Sequence, residues 1–224
     1  GCDLASLKTK AVEEGDYYIL SGQKVWTSGA HYIDYLYLVA RTDPNVPKHK
    51  GISEFIVDMK LPGIEVRPLI DMTGGHHYNE VFLDNVRIPK STLVGQKNKG
   101  WYQLVIALDF ERSSVGYAAG NQRLLEELIK YTKENTRNGK PLAADPLIRS
   151  ELAQLVVENE VARMMAYRIA WMFSMGLHPS YESSMSLLFC SELLRHIANA
   201  GMRVLGHYGE LAQDSKWAVF SARI

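Results

Sequence analysis

The run Asp109-Phe110-Glu111-Arg112 holds the residues of this sequence that are best suited to proton transfer. A carboxylate in an apolar cleft can act as a general base, because burial raises its pKa towards neutrality. Glu111 lies between Phe110 and an apolar helical stripe that includes Val115, so it could remove a proton next to a carbonyl group. The ordinary alternative is an exposed Glu-Arg pair on a helix, which contributes little to stability. The residue pattern alone favours this alternative.

A second candidate site follows a short apolar run, at Trp26-Thr27-Ser28-Gly29. The Trp26 indole could cover a flat aromatic cofactor such as a flavin, while Ser28 and the nearby backbone bind the polar edge of the ring. The alternative is a tryptophan packed on a sheet and followed by a polar turn. The spacing of these residues alone favours the alternative.

Short strands are predicted to carry the tryptophan. Runs rich in Val, Ile, Tyr and Phe alternate with Gly, Asp, Pro and Ser turn residues up to about residue 95, a pattern typical of an antiparallel β-barrel or sandwich. Residues 35–39 are apolar at every position, which predicts a central strand. The predicted strands are 7–12, 17–20, 24–27, 35–40, 54–58, 64–68 and 80–83.

Long helices are predicted to carry the carboxylate. Apolar residues recur at helical spacing over 101–135, from Asp145-Pro146 to residue 173, and over 181–205. Asp before Pro is a strong helix-start signal, since Asp caps the helix and Pro suits its first turn. Strands followed by three long helices predict an α+β fold, with a middle β domain at 1–98 and an incomplete up-down helical bundle at 99–224.

Composition excludes several function classes. The 25 Lys and Arg residues balance the 25 Asp and Glu residues, so there is no electrostatic reason to bind nucleic acid or an anionic membrane. No apolar run approaches the roughly 20 residues of a membrane span. Cys2 and Cys190 lack metal-site spacing and are predicted to be reduced thiols. The pair His76-His77 would point to opposite faces of an extended segment, so no metal is predicted.

Taken together, these motifs resemble the acyl-CoA dehydrogenase family of flavoproteins. The resemblance covers nearly the whole chain and is densest over residues 4–112. It implies fatty acid or lipid metabolism by α,β-dehydrogenation of an acyl-CoA: a Glu removes the α proton, hydride passes to N5 of FAD, and an electron-transfer flavoprotein-type acceptor takes the electrons. The supporting runs are Gly22-Gln23-Lys24-Val25-Trp26-Thr27-Ser28-Gly29, Met72-Thr73-Gly74-Gly75, Asn79-Glu80-Val81-Phe82-Leu83-Asp84-Asn85-Val86-Arg87-Ile88-Pro89 and Asp109-Phe110-Glu111-Arg112.

The resemblance assigns the catalytic base to Glu111. Members similar to the isovaleryl and long-chain enzymes carry the base on the first bundle helix, directly before an arginine, as Glu111 precedes Arg112. Most members carry it in a later loop, so a base beyond residue 224 is the alternative. Asp109, Phe110 and Arg112 match the substrate-contact stretch. Cys2 occupies a position at which the family usually has a CoA-contacting Ser.

Two further stretches resemble the cofactor site. Trp26 and Ser28 fall on a W-x-[ST] motif that lies against the flavin, and Thr27 lies between them. Leu205 and Gly206 fall in a stretch that meets the FAD of a neighbouring subunit.

A looser correspondence concerns the pyrophosphate of the cofactor. Arg137 precedes a run similar to F-G-K-P-L and could meet the pyrophosphate, although a solvated helix end is an equal alternative. Asn138 replaces the Phe of that run, and His207 replaces a Gly of the subunit-contact stretch.

The resemblance also implies that parts are missing. The family has an N-terminal helical domain and a fourth bundle helix, so the chain is expected to be a fragment or truncated product, located in the bacterial cytoplasm or the mitochondrial matrix. A homotetramer or hetero-oligomer is expected. The alternatives are a non-catalytic structural subunit or inactive fragment, and an acyl-CoA oxidase or flavin monooxygenase on the same fold.

Overall fold

The structure of the chain is a computed structural model that describes residues 3–112 and 115–211. The chain divides into two compact units, Gly1–Ile106 and Ala107–Ile224. Strands dominate the first unit and helices dominate the second, so the predicted α+β fold is confirmed. The domain division predicted from the sequence, 1–98 and 99–224, stays a prediction.

Seven strands of the first unit form one sheet, in the order β5-β6-β2-β1-β3-β4-β7. Neighbouring strands are antiparallel, except that β1 pairs with β3 in parallel at Lys10 and Arg41. The strand predicted over 35–40 lies inside the sheet, which confirms it as central, although Tyr35 and Tyr37 are exposed. The strands are β1 Lys10–Glu14, β2 Tyr17–Lys24, β3 Tyr35–Arg41, β4 Ile52–Asp58, β5 Ile64–Leu69, β6 Tyr78–Pro89 and β7 Leu93–Val94.

A β-bulge in β6 changes which of its residues face the core. Leu20 of β2 pairs with Val86, whereas Gly22 pairs with Leu83, so one residue of β2 faces two residues of β6. Asn85, inside this bulge, has a φ of 49°. The buried positions therefore change from odd to even numbers, at Asn79, Val81 and Leu83 and then at Val86 and Ile88.

The helices follow the predicted starts and stops. Asp145 caps α3, because its Oδ1 accepts a hydrogen bond of 2.8 Å from the Leu147 amide. Gly206, with a φ of 58°, ends α4. The helix predicted over 101–135 corresponds to α1 and α2, and residues 113 and 114 between them lie outside the described residues. The helices are α1 Gly100–Arg112, α2 Val115–Glu134, α3 Pro146–Ser174 and α4 Ser180–Leu205.

Each unit has its own apolar core. In the first unit, Phe55 and Tyr18 meet edge to face, with ring centroids 5.0 Å apart. In the second, buried residues of α2, α3 and α4 pack together around Leu128 and Ile197. These three long helices confirm that a helical bundle follows the strands, as predicted.

A carboxylic acid is buried in the first unit. Glu54 of β4 is 1% exposed, and its Oε2 accepts a hydrogen bond of 3.1 Å from Gln103 Nε2. Burial raises the pKa of Glu54, and a hydrogen bond from Tyr37 offsets only part of that rise. The folded chain therefore holds a proton at Glu54 more tightly than the unfolded chain does.

This sign predicts how stability depends on pH. A raised folded-state pKa means that Glu54 lowers the free energy of unfolding as pH rises from about 4.3 through the raised value. Glu54→Gln should remove this decline, so the variant gains stability relative to the original chain between pH 4.5 and pH 7.5. Urea unfolding at both values measures the effect, with exposed Glu14→Gln as the control. Parallel profiles for Glu54→Gln and the original chain would contradict it.

Candidate functional site

The segment after β2 presents an aromatic ring to the surface. The predicted strand over 24–27 is wrong, because β2 ends at Lys24 and Trp26 has a φ of 60°. The Trp26 side chain is 63% exposed and meets Tyr78 edge to face, with ring centroids 5.9 Å apart. Thr27 and Asn79 exchange two backbone hydrogen bonds of 3.0 Å. These bonds attach the exposed tryptophan to the start of β6.

The next two residues continue this attachment. The Ser28 side chain is exposed, and the Gly29 amide donates a hydrogen bond of 3.1 Å to the His77 carbonyl. Gly29 has a φ of 66°, and a Cβ there would lie 2.5 Å from the Tyr32 ring. A side chain at position 29 would therefore be strained by the backbone conformation, and the exposed Tyr32 ring would have to move.

The sequence did not predict that Asn79 holds the segment that contains Trp26 and Thr27. Asn79 is fully buried, and its Nδ2 donates a hydrogen bond of 3.1 Å to the Thr27 carbonyl. The His76 ring lies 2.8 Å from Asn79 Oδ1, and the His31 ring lies 3.2 Å from its Nδ2. The available signal was a polar residue on the apolar face of an alternating strand.

The last residue of β2, Lys24, is a partly buried cation. Lys24 donates a hydrogen bond of 2.7 Å from Nζ to the Val39 carbonyl. Burial lowers the pKa of Lys24 to about 8. Most Lys24 side chains still carry a positive charge at pH 7.

Three predicted cofactor residues of the second unit lie together. Arg137 donates a hydrogen bond of 2.8 Å from Nη2 to the Val204 carbonyl, in the last turn of α4. A Cβ at Gly206 would lie 3.8 Å from the same Nη2 atom. Leu205, which lies between Val204 and Gly206 in the chain, is buried. Arg137 and Gly206 are exposed. A guanidinium has five N–H donors, so Arg137 retains donors for an anion.

A hairpin places Arg137, and it explains one departure from the family pattern. Residues 136–137 (β8) and 140–141 (β9) pair in antiparallel fashion. The two turn residues, Asn138 and Gly139, have φ values of 53° and 75°. Asn-Gly suits such a two-residue turn, because both positions need a positive φ. Asn138 is therefore a turn residue, and the segment is a hairpin and not a helix end.

The predicted catalytic run forms the last turn of α1. Asp109 is buried, and its Oδ1 accepts a hydrogen bond of 3.4 Å from Ser180 Oγ at the start of α4. The Phe110 ring stacks on Phe173 of α3, with centroids 4.2 Å apart and planes 10° apart. Glu111 is exposed. Asp109 and Phe110 thus attach this turn to the bundle, and the Glu111 carboxylate lies at its surface.

The other predicted substrate residues are placed less fully. Arg112 is half-buried at the end of α1. The side chain of Val115, expected beside Glu111, lies outside the described residues, as does Cys2. His207, the second departure from the family pattern, is exposed in the 3₁₀ turn Gly206–Glu210.

Two further features concern metals and membranes. Residues 3–112 and 115–211 contain no group of three His, Cys, Asp or Glu side chains placed to hold a metal ion. Within the same residues, no helix is both long enough and apolar enough to cross a membrane.

Both parts of the chain are similar to domains of known proteins. Residues 1–86 match the acyl-CoA dehydrogenase middle domain, and residues 98–223 match the acyl-CoA dehydrogenase C-terminal domain. Acyl-CoA dehydrogenase FadE34 of Mycobacterium tuberculosis is 42% identical over 190 residues, which are 84% of this chain and 26% of FadE34. Acyl-CoA dehydrogenase FadE29 of the same organism is 35% identical over 95% of this chain and 54% of FadE29.

Solved structures agree with the sequence relatives. A chain of the ChsE4-ChsE5 complex from Mycobacterium tuberculosis has a TM-score of 0.88 and 32% identity, covering 100% of this chain and 57% of that one. The chain thus spans about half the length of FadE29 and of this structural neighbour, and about a quarter of FadE34. With both units matched, the chain belongs to the acyl-CoA dehydrogenase family, as its motifs predicted.

Proposed function

We propose that the protein to which this chain belongs catalyses FAD-dependent α,β-dehydrogenation of an acyl-CoA thioester. The observation that carries the proposal is the match of both units to acyl-CoA dehydrogenase domains. The products and reactants balance, because a proton lost from Cα and a hydride lost from Cβ leave a carbon–carbon double bond. An acyl-CoA is accordingly the substrate, and a flavoprotein-type acceptor removes the electrons.

The residues present fit FAD in their chemistry. Trp26 offers an exposed aromatic face, and the exposed Ser28 hydroxyl follows it. In the second unit, Arg137 offers a guanidinium beside Gly206, where the missing side chain leaves the backbone open to a phosphate of the FAD of a neighbouring subunit. Thr27 is hydrogen-bonded through its backbone to Asn79, and Leu205 is buried in the core of the second unit, directly before Gly206. When bound, FAD accepts the hydride from the β carbon.

The remaining steps belong to side chains of the last turn of α1. Glu111 takes the α proton onto its carboxylate, which its exposed position allows a substrate to approach. Asp109 and Phe110 fix the turn through Ser180 and Phe173, and thereby fix the Glu111 backbone. Arg112 and Cys2 complete the substrate-facing set that the resemblance assigns.

The proposal also includes the oligomeric state and the cellular location of the protein. One structural neighbour is a chain of a complex of two named components, which supports a hetero-oligomer beside the expected homotetramer. The named relatives come from a bacterium, which supports the bacterial cytoplasm over the mitochondrial matrix.

A non-catalytic role is the second candidate, and the exposure of Glu111 favours it. A general base works best where an apolar environment raises its pKa. Under this alternative, the chain is a structural subunit that supports a catalytic partner.

Acceptor preference tests the proposal. The chain, supplied with FAD and an acyl-CoA, should reduce a dye acceptor under argon and should consume little oxygen in air. Rapid oxygen uptake without a dye would instead favour an oxidase or monooxygenase. The absence of both reactions would favour the structural subunit.

A further inference from the structure

The side chain of Asn79 is a polar group in an apolar row. It shares the inward face of β6 with Val81 and Leu83, and it is fully buried. A buried amide must satisfy its hydrogen-bonding atoms within the protein, because water does not reach it. The identity of its partners therefore indicates what the amide is there to do.

The partners fix the orientation of the amide. The Thr27 carbonyl can only accept a hydrogen bond, so the group facing it at 3.1 Å is the Asn79 Nδ2 donor. Oδ1 then accepts from His76 Nε2 at 2.8 Å, so His76 carries a proton on Nε2. The second Nδ2 hydrogen points at His31 Nδ1 at 3.2 Å, so His31 Nδ1 is an acceptor. All three side-chain contacts are compatible in this one arrangement.

The two imidazoles reinforce the arrangement. The His31 and His76 rings stack, with centroids 3.9 Å apart and planes 19° apart. Each ring also contacts Asn79, so the three side chains form a closed cluster. We name this cluster, His31, His76 and Asn79, the amide–imidazole cluster.

The cluster acts on the backbone beside the tryptophan. The Thr27 carbonyl accepts two hydrogen bonds from Asn79, one from its backbone amide and one from its side-chain Nδ2. Trp26, one residue earlier, holds a φ of 60°, which a non-glycine residue keeps only where its surroundings fix it. The two hydrogen bonds that Asn79 donates to the Thr27 carbonyl fix the backbone next to Trp26.

We propose that Asn79 is a positioning residue that, with His31 and His76, sets the orientation of Trp26 towards the flavin. The proposal rests on the proposed function, since it assumes that Trp26 covers FAD. It predicts that an amide at position 79 is needed, because alanine removes the side-chain hydrogen bond to the Thr27 carbonyl and the partner of both imidazoles, and leaves only the backbone hydrogen bond to Thr27.

The test compares FAD binding by variants of the chain. Asn79→Ala should raise the Kd for FAD by about tenfold to a hundredfold, the size of effect expected when one buried polar group is left unsatisfied. The visible band of the flavin bound at saturation should also shift. His76→Phe should give a smaller change in the same direction, and His76→Gln, which keeps a donor in place of Nε2, should restore affinity.

A matched control separates positioning from stability. Thr9 is a buried side chain of the same unit, and its Oγ1 donates a hydrogen bond of 3.1 Å to the Gln23 carbonyl. Thr9→Val should destabilise the unit without changing the Kd or the spectrum of bound FAD. Equal Kd and spectrum in Asn79→Ala and the original chain would overturn the proposal, as would equal effects of Thr9→Val and Asn79→Ala.

Hydrogen exchange keeps the two proposals distinguishable. Without FAD, Asn79→Ala and His76→Phe should speed exchange of the Thr27 and Gly29 amides, whereas Thr9→Val should not. If the original chain binds no FAD, the claim that this chain holds the cofactor site fails, and the role towards flavin fails with it. The exchange rates then still decide whether Asn79 fixes the segment, and unchanged rates would overturn that part too.

Discussion

Replacing Glu111 with glutamine should abolish reduction of the flavin by an acyl-CoA while leaving flavin binding intact. The glutamine side chain has nearly the same size, but its amide cannot accept the α proton. General bases contribute about 10²-fold to 10⁴-fold to rate, and a loss of this size is expected. Because Glu111 is exposed at the end of α1, the substitution should change the free energy of unfolding little.

Rapid mixing of the FAD-loaded chain with acyl-CoA under argon measures the effect as bleaching of the flavin band. The control is Glu126→Gln, which alters an exposed carboxylate on α2 that accepts a hydrogen bond from Gln122. Bleaching at the original rate in Glu111→Gln would show that the base is another residue. It would then favour the alternative that the base lies beyond residue 224.

Phe55→Ala should lower the free energy of unfolding of the first unit by about 3–5 kcal/mol. Phe55 is fully buried in β4 and meets Tyr18 edge to face. Truncation removes apolar area, leaves a cavity and removes the aromatic pair. Domains are stable by only about 5–15 kcal/mol, so this loss is a large fraction of the total.

Urea unfolding followed by circular dichroism measures this difference. Ile56→Ala is the matched control, because Ile56 is the next residue of the same strand, on the opposite and partly exposed face. It should cost about 1 kcal/mol or less. Equal losses in the two variants would mean that the apolar core of the sheet does not lie on the Phe55 face.

Local patterns predicted the elements well where local chemistry decides them. Asp145-Pro146 marked the start of α3, because capping and proline preference act within a few residues. The predicted strand over 24–27 was wrong for the opposite reason. Its apolar residues favour a strand, but the Trp26 backbone takes a positive φ beside Thr27, which is bonded to Asn79, 52 residues away.

The candidate site shows the same division. Glu111, Arg137, Leu205 and Gly206 were predicted because they fall on stretches that resemble the family. The contact of Arg137 with the end of α4 joins residues 67 positions apart, which spacing does not reveal. Asn79 was missed because its role depends on partners that only the folded sheet brings together.

The visible absorbance of the purified chain, before and after adding FAD, tests the central claim most directly. The account predicts a bound-flavin spectrum that loses its long-wavelength band when an acyl-CoA is added under argon. No bound-flavin spectrum at any FAD concentration would contradict the claim that this chain holds the cofactor site. A bound flavin that no acyl-CoA bleaches would contradict the assignment of the dehydrogenation chemistry.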